Sequence, residues 1–138
     1  MRLRKNAKVA FIQGVPLFAL CTKKELEAIA AEATELAVPS GRILTTQGER
    51  GREFMVIAEG SADVRKNGRL VARLGPGDFV GEIALITGGP RVATVTTTSE
   101  TTFLLLTDRA FDRMMKAMPS VQTKVLNALA DRLHAEAL

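Results

Sequence analysis

Glu82 and Arg91 are the two residues of this sequence best suited to recognising a small anionic ligand. They stand nine positions apart within Gly-Glu-Ile-Ala-Leu-Ile-Thr-Gly-Gly-Pro-Arg-Val-Ala-Thr-Val, residues 81–95. Between them, two glycines and a proline bend the backbone back on itself. A helical turn opening at Gly81-Glu82 presents backbone N–H groups at its N-terminus, and those attract anions. The Arg91 guanidinium is a planar fork that can bind two phosphate oxygens at once. A carboxylate repels phosphate, so Glu82 is better matched to a hydroxyl donor, such as that of a ribose. A sugar acceptor and a phosphate donor in one short segment suit a nucleotide. The alternative is that Glu82 and Arg91 pair only with each other, an arrangement that repays its desolvation poorly.

The run Gly81-Glu82-Ile83-Ala84-Leu85 followed by Pro90-Arg91-Val92-Ala93-Thr94 resembles the phosphate-binding cassette of cyclic nucleotide-binding domains. Those domains occur in catabolite activator proteins, regulatory subunits of cyclic AMP-dependent kinase and nucleotide-gated channels. The resemblance covers residues 14–136 and includes three further stretches: Gly48-Glu49-Arg50-Gly51 in a turn, Glu59-Gly60 closing a strand, and Gly75-Pro76-Gly77-Asp78-Phe79. It implies that Gly81 and Glu82 bind the ribose 2′-hydroxyl. It implies equally that Arg91 and the backbone N–H groups of Ala84 and Val92 hold the cyclic phosphate. In the family, sites selective for cyclic GMP often carry Thr or Ser directly after the cassette arginine. Val92 stands there, so the expected ligand is cyclic AMP ahead of cyclic GMP. Val64 and Ala72 are the expected apolar wall for the base. Relatives cover the base with a residue of the C-terminal helix, and here Arg132 is the candidate lid, by cation–π contact. Its alternative role is a solvated residue paired with a neighbouring acid.

These residues need elements to hold them. Residues 3–13 read as a short amphipathic helix carrying Val9, Phe11 and Ile12, interrupted by Gly14 and Pro16. Thr22-Lys23-Lys24-Glu25 is a capping box that opens a helix over Leu26, Ile29 and Ala30. From about residue 33 the pattern changes to short strands at Ile43-Leu44, Phe54–Ala58, Ala62–Arg65 and Leu70–Leu74. Asn67-Gly68 is a strong hairpin signal between the last two. After the cassette, Val92–Thr98 and Thr101–Leu106 are rich in β-branched residues and are expected to form a second hairpin. Helices return with Thr107 or Asp108 as cap, carrying Phe111, Met114 and Met115. Pro119 and Ser120 restart a helix to about residue 137, with Val121, Val125, Leu126, Leu129 and Leu133 at helical spacing.

Strands this short and evenly spaced argue for a sandwich or barrel. The resemblance makes it a mainly β fold, a jelly-roll β-barrel with flanking helices, a short phosphate-binding helix inserted and lid helices at the C-terminus. One domain is expected over 1–138: N-terminal helices over 1–32, the barrel over 33–107 with its cassette at 81–94, and C-terminal helices over 108–138.

Composition narrows the chemistry. A chain of 138 residues is long enough for one domain that buries roughly two-thirds of its unfolded surface. Hydrophobic residues make up 46% and charged residues 25%, as in an ordinary globular protein. No apolar run approaches the roughly 18 residues of a membrane helix. Met1-Arg2-Leu3-Arg4-Lys5 is basic, but no signal-peptide core follows, so a cytoplasmic location is expected. One cysteine, Cys21, and one histidine, His134, exclude an internal disulfide and a zinc site built from these ligands. The net charge of +4, with no Trp or Tyr, does not match nucleic-acid binding through stacked bases. The basic group Arg2, Arg4, Lys5 and Lys8 reads as a solvated helix face, or else a contact for a phosphate backbone or acidic partner. No nucleophile–base pair or Walker pattern is present, and Asp108 and Asp112 look like helix capping, so no catalysis is expected. A binding module without cofactor or metal is the expectation, with a protein partner or a second copy meeting the C-terminal helix. No DNA-reading domain is expected after that helix. A non-catalytic interaction protein that keeps the fold with little use for nucleotide is the alternative.

Overall fold

The computed structural model describes the backbone of residues 5–137, with all side chains there except those of 5, 6, 16, 82, 86, 128 and 132–137. Arg2 and Arg4, and the side chains of Lys5, Glu82, Arg132, Leu133 and His134, therefore lie outside the described residues. The chain divides into two compact units, residues 1–32 with 109–138, and residues 33–108.

The first unit is helical. It holds α1 (Lys5–Gln13), a 3-10 turn (Pro16–Phe18), α2 (Lys23–Glu32), α4 (Asp108–Ala117, from its second residue) and α5 (Pro119–Ala137). The capping box closes in both directions at the start of α2. The Glu25 N–H donates to Thr22 Oγ1 at 3.1 Å, and the Thr22 N–H donates to Glu25 Oε1 at 2.8 Å. Two donors that the helix cannot satisfy are thereby satisfied. Leu26, Ile29 and Ala30 are buried, as their spacing requires. Arg113 of α4 grips Glu32 of α2 through Nε at 3.0 Å and a second nitrogen at 2.6 Å. Pro119 opens α5, where a missing N–H costs nothing, and the Met118 N–H and Gln122 N–H keep the ladder continuous across the junction. Val121 and Val125 are fully buried, whereas Leu126 is exposed.

The second unit is a sandwich of two four-stranded antiparallel sheets. One runs β1-β8-β3-β6 and the other β2-β7-β4-β5. The strands are β1 (Thr34–Val38), β2 (Ile43–Thr45), β3 (Glu53–Glu59), β4 (Ala62–Lys66), β5 (Arg69–Leu74), β6 (Phe79–Val80), β7 (Thr94–Thr97) and β8 (Thr101–Thr107). Met55, Ile57, Val80 and Phe103 from the first sheet meet Ala62 and Val95 from the second in one buried cluster. Such large side chains contribute roughly 1.5–3 kcal/mol each when fully buried. Asn67 and Gly68 both take positive φ, 52° and 80°, and join β4 to β5 with Lys66 opposite Arg69. That is the primed turn that Asn-Gly favours.

The second expected hairpin does not form. β7 pairs with β2 and β4, while β8 pairs with β1 and β3, so the two strands lie in different sheets. The link Thr98-Ser99-Glu100 lacks a residue suited to the positive φ of a tight hairpin. Its hydroxyls instead tie to the start of β4, with Ser61 Oγ 2.7 Å from Thr98 Oγ1 and 3.0 Å from Ser99 Oγ. β-branching identifies both runs as strands without choosing their partners. The edge strands β1 and β6 have no clear sequence signal of their own: β1 is mostly exposed and β6 has two residues. The expected cassette helix is present as α3 (Glu82–Thr87), set between β6 of one sheet and β7 of the other.

Candidate functional site

α3 has six residues and is bounded by glycine at both ends, Gly81 at φ 105° and Gly88 at φ 72°. Its ladder begins with the Leu85 N–H on the Gly81 carbonyl at 3.4 Å, and Ala84 lies in the turn before that bond. The Gly88 N–H returns to the Ala84 carbonyl at 2.9 Å and stops the helix. Ile83 and Ala84 are buried, and Thr87 Oγ1 donates to the Ile83 carbonyl at 2.7 Å. Gly88-Gly89-Pro90 then carries the chain to Arg91.

Arg91 is 5% exposed, and the turn leading into β3 encloses it. Its backbone pairs with that turn twice: the Arg91 N–H donates to the Glu49 carbonyl, and the Gly48 N–H donates to the Arg91 carbonyl, each at 2.8 Å. One terminal nitrogen of its guanidinium donates to the Glu53 carbonyl at 2.9 Å and to Glu53 Oε2 at 3.2 Å. The other donates to the Gly81 carbonyl at 3.5 Å. A buried charge is tolerated when it is paired and hydrogen-bonded, and here two carbonyls and a carboxylate meet those needs. Two glycines make room for it. A Cβ on Gly51 would collide with Nε and Cζ of Arg91, and one on Gly81 would collide with the Glu53 carbonyl and approach Arg91 within 2.8 Å.

The structure thus brings Gly81 and Arg91 together and places Ala84 and Val92 in the same short segment. Val92 is half-buried between Arg91 and the start of β7. β7 pairs with β4, with Val95 opposite Val64, and β4 pairs with β5, with Val64 opposite Ala72. The two residues expected at the base therefore stand directly opposite each other on neighbouring strands. Val64 packs against the core cluster and Ala72 is exposed. For Glu82 the backbone opens α3, and for Arg132 the backbone lies within α5. Sequence reasoning missed Glu53 and the role of Gly51. The turn Gly48-Glu49-Arg50-Gly51 is visible in the sequence, but nothing local says that it frames a side chain 38 residues beyond Glu53.

Cys21 is half-buried ahead of α2. Burial pushes its thiol above the ordinary value, the nearby Glu25 carboxylate adds to the rise, and Ser120 and Lys124 oppose it. Among the described residues, no three His, Cys, Asp or Glu side chains gather to hold a metal ion. No helix among them is long and apolar enough to cross a membrane.

Comparison with known proteins gives a consistent result. The family model described as "Cyclic nucleotide-binding domain" matches residues 35–118. A cAMP-dependent protein kinase regulatory subunit of Mycosarcoma maydis is 33% identical over 120 residues, covering 80% of this chain and 23% of that protein. The regulatory domain of Toxoplasma gondii PKA, solved with cAMP, superposes with a TM-score of 0.84 at 26% identity, over 93% of this chain and 50% of that one. The Thermus thermophilus catabolite activator protein gives a TM-score of 0.76 at 28% identity, over 88% of this chain and 59% of that one. The chain therefore spans under a quarter of that curated relative, half of one solved chain and 59% of the other.

Proposed function

We propose that this chain, which belongs to the cyclic nucleotide-binding domain family, is a non-catalytic sensor that binds cyclic AMP in preference to cyclic GMP. The observation that carries the reading is Arg91: a guanidinium buried to 5% exposure, beside the opening turn of α3, within a frame that two glycines keep clear. In this reading Arg91 and the N–H groups of Ala84 and Val92 hold the cyclic phosphate. Gly81 and Glu82 take the ribose, Val64 and Ala72 face the base, and Arg132 covers it. Val92 offers the base no hydroxyl, and a polar group left unpaired costs roughly 1–3 kcal/mol, or about 5- to 150-fold in affinity. Cyclic GMP is disfavoured accordingly. The relatives support the choice of nucleotide, one by name and one by the cAMP it was solved with.

Occupancy is passed on through α5. Its N-terminal half is anchored by Val121 and Val125, while Leu126 remains exposed for a partner or a second copy. A ligand shifts such a helix only by its differential affinity for two positions. The test is competitive titration with cyclic AMP and cyclic GMP, paired with hydrogen exchange. Preferential binding of cyclic AMP, with protection gained at 81–92 and altered across 119–137, is the expected result. Unaltered exchange at 119–137 removes the switch, and equal or tighter cyclic GMP binding removes the preference. Arg91→Ala is expected to lose most of the affinity while staying folded, because each hydrogen bond to a charged group contributes roughly 1.5–3 kcal/mol. Glu82→Ala loses less, since its partner is a neutral hydroxyl.

The second reading, an interaction protein with little use for nucleotide, draws on the same side chain. Arg91 already has the Glu53 carboxylate at 3.2 Å, so its charge has a partner without a ligand. Absence of cyclic nucleotide binding in the titration would favour it.

A further inference from the structure

We propose that the Glu53 carboxylate is an internal counter-ion that partners the charge of Arg91 and competes with the ligand's phosphate for it. This rests on the assignment of the phosphate to Arg91 and adds a residue that sets how tightly the anion is held.

The position of Arg91 does not depend on that carboxylate. Backbone bonds to Glu49 and Gly48 set the base of the side chain. The Glu53 and Gly81 carbonyls engage both terminal nitrogens, and Gly51 forms the wall beside Nε. Backbone carbonyls and glycine would remain if the Glu53 side chain were changed. What the carboxylate adds is charge. It sits 3.2 Å from a guanidinium that has almost no contact with solvent.

The two partners differ in freedom. The Glu53 side chain is 46% exposed, whereas that of Arg91 is 5% exposed. When a second anion reaches the guanidinium, two like charges meet over one cation, and repulsion between them is unfavourable. The half-exposed carboxylate can turn into water by giving up Arg91 and the Arg52 N–H, which donates to Glu53 Oε2 at 3.0 Å, while the buried guanidinium cannot follow it. Glu53 therefore yields, and the work of displacing it is subtracted from the affinity for the phosphate. In exchange, the ligand-free protein keeps a carboxylate beside a buried charge.

Glu53→Gln removes the charge and keeps the shape, and Glu53→Thr is a second neutral variant suited to a strand end. Each is titrated with cyclic AMP and with adenosine, which lacks the phosphate, and each is melted without ligand. Both variants are expected to bind cyclic AMP about tenfold more tightly than the parent, the order for one unit charge at a half-exposed site. Adenosine binding should be unchanged, the ligand-free melting temperature should fall, and the gain for cyclic AMP should shrink as salt screens the carboxylate. Parent-like or weaker cyclic AMP binding by a folded neutral variant overturns the competition while leaving the nucleotide assignment intact. An equal gain for adenosine also overturns it, because the effect would then not be one of charge. If neither parent nor variants bind cyclic AMP, the nucleotide assignment falls and takes the competition with it.

Discussion

Replacing Gly51 by alanine adds one methyl group against the guanidinium of Arg91. Gly51 does not sit at positive φ, so alanine suits the backbone there and the whole effect passes through the contact. The added Cβ would overlap Nε and Cζ and lie 2.6 Å from the nitrogen that donates to the Glu53 carbonyl. The guanidinium must shift, and a shift sacrifices that 2.9 Å hydrogen bond first. Overpacking of this kind costs roughly 1–3 kcal/mol. For a chain of this length each kcal/mol lowers the melting temperature by about 3–4 °C. A fork moved off its phosphate loses at least one charged hydrogen bond, roughly 1.5–3 kcal/mol or about 10- to 150-fold in cyclic AMP affinity. Denaturant unfolding and equilibrium titration measure the two effects separately. Gly75→Ala is the control, because no atom lies within 4 Å of a Cβ there and its φ is not positive. Gly51→Ala behaving like Gly75→Ala in both assays would refute the view that Gly51 walls the arginine.

Two further outcomes test the helical unit. Thr22→Ala breaks one arm of the capping box and should cost about 1 kcal/mol in denaturant unfolding; an unchanged midpoint would show that α2 does not depend on this cap. Cys21 should react with iodoacetamide more slowly at mildly alkaline pH than a small-molecule thiol, because a raised thiol value leaves less thiolate at any given pH. Its pH–rate profile should be displaced upward, and a profile at or below the ordinary thiol value would contradict the burial seen here.

Interactions that close within a few residues are legible in the amino-acid sequence alone. Thr22 and Glu25 specify their helix start because both groups of the capping box lie within one turn. Asn67-Gly68 specifies its hairpin because only residues tolerant of positive φ fit both central positions. The glycines around residues 82–87 mark the inserted helix for the same reason, and with Arg91 they make the family resemblance readable. Tertiary structure decided what depends on distant partners. Val92–Thr98 and Thr101–Leu106 are strands by composition, yet their assignment to opposite sheets follows from which faces bury Val95 and Phe103 together. The frame of Arg91 is likewise nonlocal. Glu53, 38 residues away, meets its charge, and Gly51 is needed as glycine only because a guanidinium passes where its side chain would be. Spacing along a chain records contacts one turn apart, whereas a contact across the sandwich exists only after the two sheets have chosen their strands.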